Sequence, residues 1–260
     1  MLDVAGTVIG SEGSARTLGP LVVVMAAFNE EDAIGSTLEH IPSVICGLGV
    51  DVLVVVDGAT DDTAGVARRA GVLVCETADN RGQGAAFHLG YQLARDHGAQ
   101  YIATLDADGQ YDARQLTDVV APLVRGEADF VSGSRRLGAA YTRDRVRGAG
   151  VVVFGWLISV LTRYRITDPA NGLRAMRVEV TETVPLRQAQ YQAAELLVGA
   201  LLHGFRVVEV PATMYPRAAG STKKGKNLAY GLRFARVIFT TWWRDRSVVR
   251  RRPPAGRSRT

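Results

Sequence analysis

The 260-residue chain is short of cysteine, of histidine and of long apolar runs, and each shortage excludes something. Two cysteines, Cys46 and Cys75, can build neither a disulfide framework nor a metal-ligand spacing, so a reducing compartment, the cytoplasm, is the expected setting. The four histidines (His40, His88, His97, His203) place no pair on one helical face and read as incidental or core residues. The longest apolar run, Val151 to Leu161, is broken by a serine and is too short to cross a bilayer. Met1 to Pro20 is Gly/Ser-rich without an apolar core, which suggests a loose leader. A domain-wide charge is missing too. Seven arginines and one aspartate from Arg244 to Thr260 give +6, so the residues before them carry about −1 of the total +5. The fold is near neutral with a basic tail, and a nucleic-acid partner is not expected.

What is present is an ordinary globular composition, 47% apolar and 22% charged, enough to bury a core and to exclude global disorder. Apolar runs alternate with helical spacing. Strands are predicted at Leu21 to Ala27, Val50 to Val56, Val72 to Glu76, Tyr101 to Leu105 and Asp129 to Ser132. Helices are predicted at Glu30 to Ile45, Thr63 to Ala70, Gly84 to His97 and Ala113 to Val124. The alternation argues for an open, mostly parallel sheet with helices on both faces, whose ligands lie beyond the carboxyl ends of its strands. Those ends are all polar: Ala27-Phe28-Asn29-Glu30, Asp57-Gly58-Ala59-Thr60-Asp61, Asp79-Asn80-Arg81-Gly82, Asp106-Ala107-Asp108-Gly109-Gln110 and Ser132-Gly133-Ser134-Arg135. After Arg136 come an apolar helix (Val146 to Thr162), a loop (Arg165 to Arg174), a helix (Gln192 to Leu202), a strand (Phe205 to Val210, ending at Pro211), a basic loop and a last helix (Leu228 to Trp243).

Asp106 and Asp108, one residue apart at a strand end, are the sharpest chemical feature. Two carboxylates there suit a hard divalent cation such as Mg2+ or Mn2+, completed by water or by a ligand's phosphates. An isolated Asp-x-Asp is also an ordinary turn. Context decides for the metal. The blocks AAFNEE (Ala26 to Glu31), DGATDDT (Asp57 to Thr63), NRGQGAAFHLG (Asn80 to Gly90), LDADGQY (Leu105 to Tyr111), GSR (Gly133 to Arg135), DPANGLRAMR (Asp168 to Arg177) and EVPATMYPRAAGSTK (Glu209 to Lys223) follow one another in order. Together they resemble the family 2 glycosyltransferases of the GT-A fold, nearest to the dolichyl- or polyprenyl-phosphate mannose and glucose synthase branch. Ala26 stands where that family usually has Pro, Val56 where it has Asp, and Leu173 where it has Phe.

The resemblance implies a Rossmann-like GT-A domain over 20–226, divided into a nucleotide-sugar half (20–136) and an acceptor half (137–226). It is flanked by a flexible leader (1–19), an amphipathic helix (227–246) and a disordered basic tail (247–260). It implies a nucleotide-sugar donor, GDP- or UDP-linked, held by Ala27, Phe28, Glu30, Asp57, Asn80, Gly82, Gln83, Gly84, Asp106, Ala107 and Asp108. Gln110 is expected beside the metal. Arg135 and Arg217 are expected to clamp phosphate oxygens with their planar forks, joined by Lys223 at an acceptor phosphate. A polyprenyl-phosphate acceptor is already an anion and needs no general base, and Glu195 then reads as a structural or hydrogen-bonding residue; a saccharide hydroxyl needs a base, for which Glu195, then Asp168, are the candidates. Gly220 to Lys226 matches phosphate-loop spacing until Asn227 replaces the required Ser or Thr, so it reads as a basic loop. Trp242-Trp243 beside Arg244, Arg246 and Arg250 to Arg252 fits peripheral contact with the cytoplasmic face of a membrane. The alternatives are a hydroxyl-acceptor transferase, a nucleotidyltransferase, which would open on a Gly/Arg-rich loop absent from Ala27 to Glu30, and a non-catalytic nucleotide-sugar sensor.

Overall fold

A computed structural model describes residues 17–141, 145–217 and 228–250. Its centre is a pair of strands with almost no polar side chains, β1 (Leu21–Ala27) and β3 (Leu48–Asp57), which run parallel with Leu21 opposite Val50 and Ala27 opposite Val56. Their valines are continuous because both faces are covered. Leu21, Val23, Met25, Val54 and Val56 belong to one core layer; Val22, Val24, Leu53 and Val55 belong to the other.

β4 (Leu73–Thr77) and β5 (Tyr101–Thr104) extend the parallel sheet on either side. Helices α1 (Glu31–Glu39), α2 (Thr63–Arg69) and α3 (Gln83–Asp96) connect these strands. α4 (Leu116–Val124), entered through a short 3-10 turn, leads to β6 (Phe130–Ala140). α5 (Arg145–Thr162), β7 (Arg174–Arg177), α6 (Val178–Thr183), α7 (Gln192–Leu202), β8 (Val207–Met214) and α8 (Leu228–Arg250) complete the described chain.

The sheet is mixed rather than uniformly parallel. β7 inserts antiparallel between β5 and β6, and β8 pairs parallel with β6 at the edge. β7 escapes sequence reading because Arg-Ala-Met-Arg carries a polar residue at each end of only four positions. The first helix stops at Glu39 instead of Ile45, because Cys46 and Gly47 turn the chain, with φ of 52° and 81°, between β2 (Val44–Ile45) and β3. β6 passes through Ser132-Gly133-Ser134-Arg135, which is therefore strand interior and not a strand end. β8 runs through Pro211, whose missing N–H is tolerated at a sheet edge.

α8 packs on α7 and α5, with the Phe154 and Phe234 rings 4.6 Å apart and the Trp242 indole donating to the Leu161 carbonyl at 2.9 Å. Trp242 is thus half-buried, whereas Trp243 is 55% exposed. Residues 1–16 of the expected leader, the basic loop at 220–226 and the tail beyond 250 fall outside the described residues. The end of the expected flexible leader instead joins the fold, with Leu18 buried and its N–H donating to the His97 carbonyl at 2.8 Å, and α8 continues to Arg250, past the expected start of the tail at 247.

Candidate active site

The ends of β1, β3, β4 and β5 open into one cavity of about 490 Å3, within the range of small-ligand sites. Ala26, Ala27, Phe28 and Glu30 line it from β1, Asp57 from β3, Asn80, Gly82 and Gln83 from the glycine-rich turn, and Asp106, Ala107 and Asp108 from β5. Of the predicted donor-side residues only Gly84 is missing; it lines a smaller adjoining cavity instead.

Two glycines permit this convergence. Gly58 has φ 64°, and a Cβ there would collide with the backbone of Asn80. Gly82 has φ 97°, and a Cβ would press on the Ala189 carbonyl. Asp57, almost wholly buried, holds the turn: it accepts from the N–H groups of Arg81 (2.9 Å) and Gly82 (2.7 Å). Its carboxylate is committed largely to shaping the loop above it.

Asp106 and Asp108 lie together at the cavity wall. Asp106 accepts from Gln83 Nε2 at 3.3 Å and rests against Gly172, where any Cβ would collide with its carboxylate. Asp108 is 5% exposed, accepts from the Gln110 N–H at 3.0 Å and pairs with Arg217 Nη2 at 2.8 Å. Arg217 also reaches Glu30, with Nη1 3.3 Å from Oε1. It arrives there because the chain after β8 is stitched to the metal motif. Tyr111 bridges Met214, and Tyr215 donates to the Gln110 carbonyl at 2.8 Å.

The donor set fits a hard cation in two respects, two carboxylates on one turn and a glycine cradle behind one of them, while the guanidinium on Asp108 would have to yield to it. Among the described residues no cluster of three or more His, Cys, Asp or Glu forms a closed cage, so a cation on this pair would depend on further oxygens from water or phosphates. Gln110, expected beside the metal, is held by two other contacts. Its amide donates to the Tyr215 carbonyl at 3.3 Å, and it supports Asp108 through its main chain.

Four further candidates lie away from the cavity lining or outside the described residues. Arg135 does not line the cavity. It grips Asp168 in a bidentate pair, Nε–Oδ2 2.6 Å and Nη2–Oδ1 2.7 Å, with Asp168 fully buried. Burial pushes the Asp168 carboxyl up, but the hydrogen bonds and charge of Arg135 outweigh it and hold the carboxyl below its ordinary value. In this structure the two groups are paired with each other, and neither lines the cavity. Glu195 is likewise fully buried. It accepts from the N–H groups of Arg187 and Gln188, each at 2.9 Å, and from Arg244 Nη1 at 2.9 Å. Lys223 lies outside the described residues.

The far wall was not legible in sequence. Gln190 and Tyr191 precede α7, and Tyr230 and Arg233 come from α8. Tyr191 has φ 61°, and its ring stands edge-on to Tyr230 at 4.9 Å. Tyr111, inside the metal motif but not singled out, is buried among Asp106, Asp108, Asp168 and Arg135, and burial raises its hydroxyl well above the ordinary tyrosine value.

Residues 22–184 match the family described as Glycosyl transferase family 2. An uncharacterized glycosyltransferase of Mycobacterium tuberculosis is 37% identical over 213 residues, covering 80% of this chain and 91% of the relative. A dolichyl-phosphate hexose transferase of Haloferax volcanii is 34% identical over 207 residues, 80% of this chain and 87% of the relative. Among solved structures, glucosyl-3-phosphoglycerate synthase from Mycobacterium tuberculosis, crystallised with Mn2+, uridine diphosphate and phosphoglyceric acid, superposes with a TM-score of 0.69. It is 20% identical and covers 88% of this chain and 80% of that one, a likeness of fold. With the strand-end cavity, its acidic pair and these matches in agreement, the chain belongs to glycosyl transferase family 2 and has a GT-A-type fold.

Proposed function

We propose that this enzyme moves a hexose from a GDP- or UDP-linked donor to a polyprenyl phosphate, with inversion at the anomeric carbon and with Mg2+ or Mn2+ on Asp106 and Asp108. One observation carries the choice of acceptor. Both candidate bases, Glu195 and Asp168, are fully buried and locked to arginines. The carboxylates that do line the cavity belong to its donor side, with Glu30 and Asp108 on Arg217 and Asp57 on the glycine-rich turn. A hydroxyl acceptor would need a carboxylate to take its proton; a phosphate anion does not.

In this reading the acceptor's phosphate oxygen attacks the anomeric carbon as the bond from that carbon to the diphosphate oxygen breaks, and the nucleoside diphosphate leaves. A bound divalent ion would supply Lewis-acid neutralisation of the departing diphosphate. Arg217 contributes a second cation at the same place, aimed by its contacts to Glu30 and Asp108 and presented by the stitched segment after β8. The glycine-rich turn brings main-chain groups close to the diphosphate without side-chain bulk.

An approach to lipid is supported by the surface of α5 and α8. Val152, Val153, Trp156 and Val160 stand exposed along α5, Trp156 at 65%, and Leu232, Phe239 and Trp243 along α8. α5 contains no carboxylate, and the single one on α8, Asp245, is buried against Arg244. Exposed Arg163, Arg165, Arg233 and Arg236 flank this apolar surface. Aromatic and aliphatic groups on helices that also carry exposed arginines suit an anionic bilayer surface. Tyr230 and Arg233 of the same helix line the cavity, so the lipid-facing surface and the reaction site adjoin.

The test is a panel of nucleotide sugars with a polyprenyl phosphate and Mg2+ or Mn2+, read as organic-soluble label. Label passing only to water-soluble saccharides would reject the acceptor assignment; donor and metal binding without any product would identify a sensor.

A further inference from the structure

Between α6 and α7 the chain from 185 to 191 belongs to no helix or strand, yet its last two residues, Gln190 and Tyr191, line the cavity. The same segment lies directly on the glycine-rich turn. The Ala189 carbonyl accepts from the Gly84 N–H at 2.8 Å, and a Cβ on Gly84 would meet the Gln188 carbonyl oxygen at 2.5 Å. Gly84 follows Gln83, whose side chain donates to Asp106. A shift of the segment is thereby passed, through one turn of backbone, to a carboxylate assigned to the metal. What holds the segment is Glu195, fully buried in the first turn of α7. Its Oε2 accepts from the N–H groups of both Arg187 and Gln188, and its Oε1 accepts from Arg244 Nη1 on α8. Arg244 is aimed in turn by Asp245, with Nε–Oδ1 at 2.7 Å and Nη2–Oδ2 at 2.8 Å.

Stability alone does not call for this arrangement, since an apolar pair of similar volume joins two helices about as well as a buried ion pair. An apolar side chain cannot, however, hold two main-chain N–H groups at set distances. We infer that Glu195 is a positioning residue for the donor site: braced by Arg244, it fixes segment 187–191 against Gly84 and so sets the places of Gln83 and Asp106. The inference rests on the donor reading above. It adds to that reading a line of contacts from α8 to the metal carboxylate, running from Arg244 through Glu195, Ala189, Gly84 and Gln83 to Asp106. Contiguity supplies only the route, and coupling along it is a free energy to be measured.

Glu195→Gln keeps the side chain's shape but turns one oxygen into an NH2, which then faces either the two main-chain donors or Arg244. Dissociation constants of UDP and GDP with Mn2+ are measured by calorimetry on the full-length chain, well below the Tm of each variant. A loss of roughly tenfold is expected, the size of a hydrogen bond to a charged group. Gly84→Ala, whose Cβ pushes the segment off the turn, should give a similar loss. The double variant should be no weaker than the weaker single one, because both changes break the same line of contacts. Leu123→Ala, a truncation in the core under α4, is the control: it should lower Tm and leave diphosphate affinity unchanged. A purely architectural Glu195 would behave as that control does, and this result overturns the inference; losses that multiply in the double variant overturn it too. If circular dichroism shows Glu195→Gln unfolded, Arg244→Lys replaces it, keeping the charge but not the fork, with a severalfold loss expected and unchanged affinity overturning the inference. A wild-type chain that binds neither diphosphate overturns the donor reading itself, a result distinct from binding that the substitutions leave unmoved.

Discussion

Replacing Arg217 by Gln should make the donor-free enzyme bind Mn2+ more tightly while making it a poorer catalyst. Arg217 Nη2 sits 2.8 Å from Asp108 Oδ2 and Nη1 3.3 Å from Glu30 Oε1, with the three side chains between 7% and 16% exposed. A unit charge pair near 4 Å is worth about 4 kcal/mol at an effective dielectric of 20. Desolvation takes back much of that, so a charge-assisted hydrogen bond of roughly 1.5–3 kcal/mol is the reasonable net figure. A metal approaching Asp108 must displace that contact. Its removal should therefore improve Mn2+ affinity about ten- to a hundredfold in the absence of donor. Turnover should fall by roughly two orders of magnitude, because the same guanidinium no longer meets the departing diphosphate. Calorimetric titration of Mn2+ with and without nucleoside diphosphate, alongside a transfer assay, measures both. An unchanged or weaker Mn2+ constant in the donor-free variant would refute the view that Arg217 and the metal contend for Asp108.

Asp108→Ala should abolish metal-dependent transfer with circular dichroism unchanged; retained activity in chelator-treated mutant enzyme would remove the metal role. Gly172→Ala should turn the Asp106 carboxylate aside, since a Cβ collides with it, weakening Mn2+ binding while costing about 1–3 kcal/mol in denaturant titration. Arg135→Ala leaves Asp168 buried without its partner. A loss of about 3–5 kcal/mol is expected, seen as a drop in Tm, with the KM for acceptor phosphate unmoved. Because the Asp168 carboxyl is held below its ordinary value, its stabilisation is full above the unfolded carboxylate pKa and is lost only as pH falls through the lower folded value. Asp168→Asn should flatten that acid limb of the stability profile. Trp156→Glu with Trp243→Glu should release the protein from anionic vesicles in a sedimentation assay without altering Mn2+ affinity; unaltered sedimentation would exclude the α5–α8 surface.

Much of the chain up to Arg136 is legible in the sequence because its determinants are local. β1, β3, β4 and β5 are short apolar runs with polar ends, and a parallel strand buried on both faces has no other way to look. The residues after those strands converge because a parallel sheet puts all its carboxyl ends on one edge. Glu30, Asp57, Asn80, Gly82, Gln83, Asp106 and Asp108 duly meet in one cavity.

The chain after Arg136 resists reading because its determinants are long-range. Nothing near Arg135 announces Asp168 thirty-three residues on, yet the two meet in a bidentate pair to which the Arg135 and Ala170 N–H groups add. Glu195 has the position of a base in the chain, but in space the backbone of Arg187 and Gln188 and the side chain of Arg244 close over it. Pro211 predicts a strand end, yet β8 lies at the sheet edge, where a missing N–H costs no ladder bond.

By itself the sequence determined the alternation of strands and helices, the acidic pair at the end of β5 and the glycines that let a loop close over it, since periodicity and backbone freedom act over a few residues. Only the tertiary structure decided which charges are free to meet a ligand. Arginine and carboxylate pair across distances along the chain that local pattern does not encode. Folding paired Arg135 with Asp168 and Glu195 with Arg244, and set Arg217 on Asp108.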